Sequence, residues 1–391
     1  MRRVVPALVT LLVAAAAATG SPMERALDYL SARQDAATGA VGPEAGRVAD
    51  TSWTAIAVAG AREAPVNWRR GGGATLAAAV GALPADAGGD ILRLAVARRA
   101  AGLVDPELSA RVAAQQSADG AFAGGAIPTA WGVLALRAVG RAPDDPAVGA
   151  AVAALVRQRL PDGGWAVSQG ATTSDAVGTA TGIQALRAAR VPVTDPVLQQ
   201  ARARLLALRD PDGAFARSAV PTAWAILAIR SMGERPDRGA WARGGSPAAA
   251  LQRLQDRDGG VRVAPRGRAS VFSTAMAALA WSRGVLPVAP GTARTPYRAP
   301  RVVRRTPASG DLVRGVLSVR YVDERGGTGV DPARTTLTAN GRDITRRVRI
   351  TPFTLQVRPQ VLPRGPVALV LRVRDRAGHV TTSQWSVVAS G

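Results

Sequence analysis

A cassette that recurs from the N-terminal region to about residue 287 limits what this chain can fold into more than any other feature. Each copy is an Asp-Gly turn with an aromatic beside it, followed by an Ala-rich apolar helix opening on Thr-Ala. The clearest copies are Asp119-Gly-Ala-Phe122 leading to Thr129-Ala-Trp-Gly-Val-Leu-Ala-Leu136, and Asp212-Gly-Ala-Phe215 leading to Thr222-Ala-Trp-Ala-Ile-Leu-Ala-Ile229. A repeat of this size buries little apolar surface alone and must stack on its neighbours. Asp-Gly also stands at 162 and 258, and Thr38-Gly39 and Ala87-Gly88 read as degenerate copies.

Each repeat reads as two helices. The outer helices open on a capping residue followed by Pro, at Ser21-Pro22, Asp105-Pro106, Asp145-Pro146, Asp195-Pro196 and Ser246-Pro247. The cap side chain accepts backbone N–H groups, and Pro lacks the donor that would be orphaned there. A sixth outer helix without Pro is expected over residues 74–83. Inner helices are expected near Thr54, Asp90, Thr129, Thr179, Thr222 and Thr274, with faces apolar nearly all round, as buried helices have. Six outer and six inner helices in alternation predict a mainly α fold, an α6/α6 toroid around a central cavity; an open helical solenoid is the other arrangement with this pattern. Phe122, Trp165 and Phe215 follow the turns and suit packing between units.

Residues 1–20 read as a signal peptide, with Arg2 and Arg3 before an apolar run and small residues after it. That run is too short to span a bilayer, and no later segment does so. An apolar first helix is the other reading. A secreted or cell-envelope protein without a transmembrane segment is expected.

There is no cysteine, and the one histidine, His379, lies far from the repeats. Disulfides, thiol nucleophiles, His/Cys zinc sites and Ser-His-Asp triads in the repeat region are excluded on inventory. No metal and no cofactor are expected. The formal charge is +22, carried by fifty arginines and no lysine. These arginines are spread along the chain and aromatics are only 4% of residues, too few for base-stacking platforms. Nucleic acid is therefore not an expected partner, whereas attraction to an anionic cell-envelope surface is.

The string Leu160-Pro-Asp-Gly-Gly-Trp165, followed by Thr179-Ala-Thr-Gly-Ile-Gln-Ala-Leu186, resembles the repeat of the terpenoid cyclase and protein prenyltransferase superfamily. That superfamily includes squalene–hopene cyclases, prenyltransferase β subunits and cobalamin carriers of the intrinsic factor type. The resemblance covers residues 23–287 and implies the toroid. It also implies where chemistry would lie. Cyclases that protonate an alkene carry Asp-x-Asp-Asp-Thr-Ala at an inner-helix N-terminus. Two near matches occur, Asp50-Thr-Ser-Trp-Thr-Ala55 and Asp175-Ala-Val-Gly-Thr-Ala180. Each keeps the first Asp, but Ser52 and Trp53, or Val177 and Gly178, fill the other acidic positions, so the expected proton donor is missing from both. The zinc ligands of prenyltransferases and the thioester cysteine of complement-type toroids are missing too.

Asp50 and Asp175 are read either as helix caps or as a pair of carboxylates at the cavity mouth. Trp53, Trp131 and Trp224 stand at the starts of inner helices, with Phe272 just before one. Facing inward they would make an aromatic cavity; facing between helices they are core.

After residue 287 the texture changes. Prolines at 287, 290, 296 and 300 and the Arg-rich segment 298–305 mark a linker over 288–301. From 302 to 391, β-branched alternations such as Gly315-Val-Leu-Ser-Val-Arg-Tyr321 and Phe353-Thr-Leu-Gln-Val357 alternate with turns such as Asn340-Gly341. They predict a small β-sandwich, whose segment from Leu371 to Trp385 resembles the closing hairpin of bacterial immunoglobulin-like modules. His379 falls in that hairpin's turn and reads as structural.

The leading expectation is a non-catalytic protein holding a small hydrophobic or amphipathic ligand in the toroid's cavity, with Asp50, Trp53, Trp131, Asp175, Trp224 and Phe272 as binding residues. An enzyme on isoprenoid-like or glycan substrates using Asp50 and Asp175 is the second, and an envelope adhesion protein the third.

Overall fold

The structure is a computed structural model and describes residues 21–84, 88–291, 299–323, 327, 329–376 and 378–389, without the side chains of 88–90. The signal-peptide segment 1–20 and Ala87 of the degenerate turn lie outside the described residues.

Twelve helices form among the described residues: α1 (Pro22–Ser31), α2 (Arg47–Gly60), α3 (Leu76–Gly81), α4 (Gly88–Ala100), α5 (Pro106–Ala114), α6 (Ala126–Ala138), α7 (Pro146–Arg157), α8 (Ala176–Ala188), α9 (Pro196–Ala207), α10 (Ala219–Ser231), α11 (Pro247–Arg253) and α12 (Val271–Trp281). The odd-numbered helices are the outer layer. Five open on the expected device: Ser21, Asp105, Asp145, Asp195 and Ser246 each accept a first-turn N–H through the side chain, with Pro at the first helical position. The sixth, α3, is capped by the Thr75 hydroxyl, which accepts the Ala78 N–H. The even-numbered helices pack each on the next, and α12 packs back on α2, so the inner ring is closed rather than an open solenoid.

The inner helices begin earlier than their Thr-Ala signals, by three residues at α6, α8, α10 and α12. A buried hydroxyl explains what the threonine does. Thr129, Thr179, Thr222 and Thr274 accept the N–H of Phe122 (3.1 Å), Trp165 (3.3 Å), Phe215 (3.0 Å) and Val261 (2.9 Å), residues that follow the preceding turns. These backbone donors are buried and need a partner. In α2 the same bond is made by Thr51, which accepts the Val41 N–H at 3.0 Å. Thr54 instead donates to its own helix, to the Asp50 carbonyl at 2.6 Å. The first repeat is therefore in register on Thr51, not Thr54.

Aromatics after the turns fill the space between repeats. Phe122, Trp165 and Phe215 are fully or almost fully buried. Gly132 and Gly182 exist to admit two of them: a Cβ on Gly132 would stand 2.2 Å from the Phe122 ring, and one on Gly182 would stand 2.5 Å from Trp165. Glutamine amides link consecutive units. Gln116 donates to the carbonyls of Gly120 (3.1 Å) and Ala147 (2.8 Å), and Gln34 to those of Gly39 (3.0 Å) and Trp68 (3.2 Å). A short antiparallel pair, β1 (Val261–Arg262) and β2 (Ala269–Ser270), precedes α12.

The expected linker is not free of the toroid. Val288 is buried in the same core as the helices, and Gly291 lies against the Glu63 carbonyl. Beyond it come β3 (Arg301–Thr306), β4 (Leu312–Val313), β5 (Leu317–Val322), β6 (Thr336–Ala339), β7 (Arg342–Asp343), β8 (Arg349–Ile350), β9 (Thr354–Val357), β10 (Gly365–Arg374) and β11 (Val380–Ala389). One sheet has the order β4-β11-β10-β6-β7 and the other β3-β5-β9-β8. Val319, Tyr321 and Leu355 of the second share one buried core with Leu337, Leu369, Leu371 and Trp385 of the first. His379 closes the β10–β11 turn, its Nδ1 lying 2.8 Å from the buried Asp375 carboxylate. Arg70 of the toroid stacks on Phe353 between β8 and β9, 5.4 Å from the ring centroid. No helix among the described residues is long and apolar enough to cross a membrane.

Candidate functional site

Residues four apart on a helix share a face, one turn above the other. Counting from the buried threonines, this rule builds two stacked tiers on the inner ring. Two residues before each threonine stand Ala49, Ile127, Val177, Val220 and Phe272; two residues after stand Trp53, Trp131, Thr181, Trp224 and Met276. The upper tier occupies the first turn of each helix, so one end of the toroid is lined by helix N-termini.

In the lower tier the tryptophans converge on the axis. Trp53 meets Trp131 and Trp224 edge to face at 5.7 Å in each case, and Trp131 meets Trp224 at 5.9 Å. Phe272 of the upper tier meets Trp53 at 5.9 Å. These are favourable aromatic geometries, each contributing roughly 1 kcal/mol beyond the area buried. Trp53 and Trp224 are buried and Trp131 half-buried. The four aromatics named from the sequence thus form one cluster facing inward.

The cluster does not fill the ring. A cavity of about 240 Å³ remains, walled by Trp53, Trp131, Trp224, Phe272, Ile127, Val177, Val220, Thr181, Val167 and Arg93. It lies where the lower tier carries Thr181 instead of a fourth indole. Its walls are apolar except for the Thr181 hydroxyl, which donates to the Val177 carbonyl at 2.7 Å, and for Arg93, the charged residue among them. Neither Asp50 nor Asp175 is part of this wall.

Asp175 is the N-cap of α8. One carboxylate oxygen accepts the Gly178 N–H at 2.8 Å, and the other accepts the Val167 N–H at 2.7 Å. Through the second bond it holds Val167, half-exposed at the rim, over the cavity. The base of the same loop is fixed by Asp162, which accepts the Ser174 N–H (2.8 Å) and hydroxyl (3.0 Å) and pairs with Arg204 (3.2 Å). Burial raises the Asp162 carboxyl, but these donors and the Gly164 N–H outweigh it and hold the group below its ordinary range.

Asp50 is different in kind. It lies inside α2, in the first turn, not in a loop and not at the cap, which is Gly46. Its carboxylate rests against Gly42, where a Cβ would stand 2.3 Å from Oδ2. Burial pushes this carboxyl up to about 6. Counted from Thr51, Asp50 holds the position just before the threonine, whereas Asp175 stands four before Thr179. The two carboxylates are not equivalent. With that register the segment compared with Asp-x-Asp-Asp-Thr-Ala becomes 47–52, reading Arg-Val-Ala-Asp-Thr-Ser, and Ala49 fills its third position.

Six residues of the wall, Arg93, Ile127, Val167, Val177, Thr181 and Val220, are not among the binding residues expected from the sequence. The signal for four of them was present: Ile127, Val177 and Val220 stand two before a repeat threonine, and Thr181 two after one. Val167 carries no such mark, because a loop places it.

No protein-family model matches the chain, and no curated protein does. Among solved structures it is similar to ent-copalyl diphosphate synthase from Streptomyces platensis, at 20% identity over 60% of this chain and 49% of that one, with a TM-score of 0.43. It is similar to the type II terpene cyclase MstE from Scytonema, at 15% identity over 66% and 95% of the two chains, with a TM-score of 0.30. It is also similar to CopC from Methylosinus trichosporium OB3b, at 19% identity over 24% and 94%, with a TM-score of 0.19. The closed ring rests on the contacts of its own helices and needs none of these likenesses.

Proposed function

We propose that this is an exported, non-catalytic binding protein that holds the apolar part of a small hydrophobic or amphipathic molecule against the tryptophan cluster. The observation that carries the reading is the apolar cavity of about 240 Å³ above Trp53, Trp131 and Trp224. Size limits the ligand. An apolar cavity of about 150 Å³ accepts benzene, while whole drug-sized ligands occupy about 300–1,000 Å³. The space suits one ring or a short branched chain, with the rest of the ligand outside the mouth. A long polyisoprenoid folded for cyclisation does not fit this volume. Asp50 and Asp175 stand outside the wall, which argues against an enzyme in which both act on one substrate. The C-terminal pair of sheets is read as an immunoglobulin-like β-sandwich that acts as a spacer.

Titration with a short isoprenoid alcohol and with an alkylbenzene, followed by tryptophan fluorescence and calorimetry, tests the reading. Saturable binding at one site, with a shift in indole emission, is the expected result. Absence of saturation by either probe, together with a bare mass in native mass spectrometry of protein purified from its own host, would sink it.

A further inference from the structure

The outward face of the four-stranded sheet carries a charge pattern that its folding does not require. Antiparallel register sets Arg304 of β3 directly opposite Arg320 of β5. A bulge between Val302 and Arg304 brings Arg301, opposite Val322, onto the same face. Arg349 of β8 joins them opposite Gln356 of β9, which itself pairs with Ser318. All four arginines are exposed, and none forms an ion pair among the described residues. The remaining outward positions are Thr306, Ser318, Val322, Thr354 and Gln356, with the exposed Val303 in the bulge and no acid among them. Some arginines elsewhere are paired, as Arg202 with Glu234 and Arg204 with Asp162. Like charges directly opposite one another destabilise a sheet. An anion lying across the strands turns that repulsion into attraction.

We propose that this face binds a linear, phosphate-bearing polymer that lacks bases. Arginine matches phosphate oxygens with paired N–H donors; Arg304 and Arg320 stand on neighbouring strands about 5 Å apart, and Arg301 along β3 and Arg349 two strands beyond β5 extend the row of donors, suiting successive phosphates rather than one ion. No aromatic stands among the outward positions, so bases find nothing to stack on. No long apolar side chain projects from the face to enter a lipid layer. The site is independent of the cavity, and either proposal can fail alone.

The test is binding of medium-chain inorganic polyphosphate to the full chain, measured from low to physiological salt. Replacing Arg301, Arg304, Arg320 and Arg349 by Gln is expected to weaken binding roughly tenfold or more at physiological salt and to flatten its salt dependence. A charge-matched control replaces the exposed Arg238, Arg257, Arg266 and Arg268 of the toroid by Gln, and is expected to keep affinity and slope. Arg304→Gln alone removes the like-charge contact, so it is expected to weaken binding without lowering Tm. Equal loss in the control assigns the effect to net charge and overturns the site. Failure of the wild type to bind polyphosphate, or tighter binding of a single-stranded oligonucleotide or anionic vesicles, overturns the polymer class.

Discussion

The side-chain amide of Gln255 donates to the Pro22 carbonyl at 2.8 Å, joining residues 233 apart in sequence and closing the last repeat onto the first. Its second bond, to the Gly259 carbonyl at 3.1 Å, holds its own turn. Gln116 makes the same pair of bonds between consecutive units, so the seam uses the joint found elsewhere in the ring. The Gln255 oxygen meanwhile accepts from Arg25 at 2.6 Å.

Gln255→Ala and Gln116→Ala should each cost about 1–2 kcal/mol, since each leaves a part-buried turn carbonyl, that of Gly259 or Gly120, without a donor, while the Pro22 and Ala147 carbonyls keep their helical N–H. Their local effects should differ. At the seam no covalent chain links the parted units, so hydrogen exchange in α1 and in β1 should accelerate in Gln255→Ala. In Gln116→Ala the rise should stay within α5–α7. Identical exchange maps for the two variants would show that the seam is not the weak point of the ring.

The close approach at Gly182 gives a second prediction. A methyl group there meets Trp165 at 2.5 Å, and the indole cannot retreat because Nε1 donates to the Leu155 carbonyl at 2.8 Å. Gly182→Ala should therefore lower stability by about 1–3 kcal/mol through overpacking, despite alanine's better helix propensity. Trp165→Leu should make the alanine tolerable, so the double variant should be more stable than the sum of the single losses predicts. Additive losses in urea denaturation would refute the contact as the cause.

Much of the ring was legible, and the reason is chemical. Outer helices begin at Ser-Pro and Asp-Pro because cap and proline act locally, and all five pairs lie where expected. Inner helices were misplaced because their threonine is not a cap. It reaches back to the preceding turn, and that bond is visible only once the turn is folded beside it. The error carried Asp50 with it: Thr54-Ala55 matches the pattern, but Thr51 makes the bond. The inward side of Trp53, Trp131 and Trp224 also depended on register, since a shift of one residue turns a helical side chain by 100°. Val167 was out of reach for a further reason, being set by the Asp175 carboxylate rather than by its neighbours in sequence.

Asp50 should leave a signature in the pH dependence of stability. Burial raises its carboxyl from the ordinary 3.8 to about 6 in the folded chain. Between those values the folded state binds more protons than the unfolded state, so stability falls as pH rises through the window. Above about pH 6 the folded state carries the full cost of the buried charge, on the order of 3 kcal/mol. Asp50→Asn removes that cost while keeping the shape. Its gain over wild type should be near zero at pH 3.5 and largest above pH 6.5, read from urea midpoints. Parallel stability curves for the two proteins would show that Asp50 is not buried as described.

Thr181 decides whether the cavity exists. Three of the helices that supply the lower tier bring an indole, and the space remains where α8 brings a methyl and a hydroxyl instead. Thr181→Trp directs a fourth indole into that space, against Val177 and the Trp224 cluster, and the lost hydroxyl bond to the Val177 carbonyl leaves no polar group stranded, because that carbonyl keeps its helical N–H. Filling an apolar void restores dispersion contacts that its lining lacks. The variant should therefore be as stable as wild type or gain up to about 1 kcal/mol, whereas the same change in a filled core costs about 1–3 kcal/mol. Binding of the alkylbenzene probe should vanish while polyphosphate binding at the sheet face is unchanged. A large loss of stability would mean that the space is already closed in solution, and unchanged probe binding would place the apolar site elsewhere.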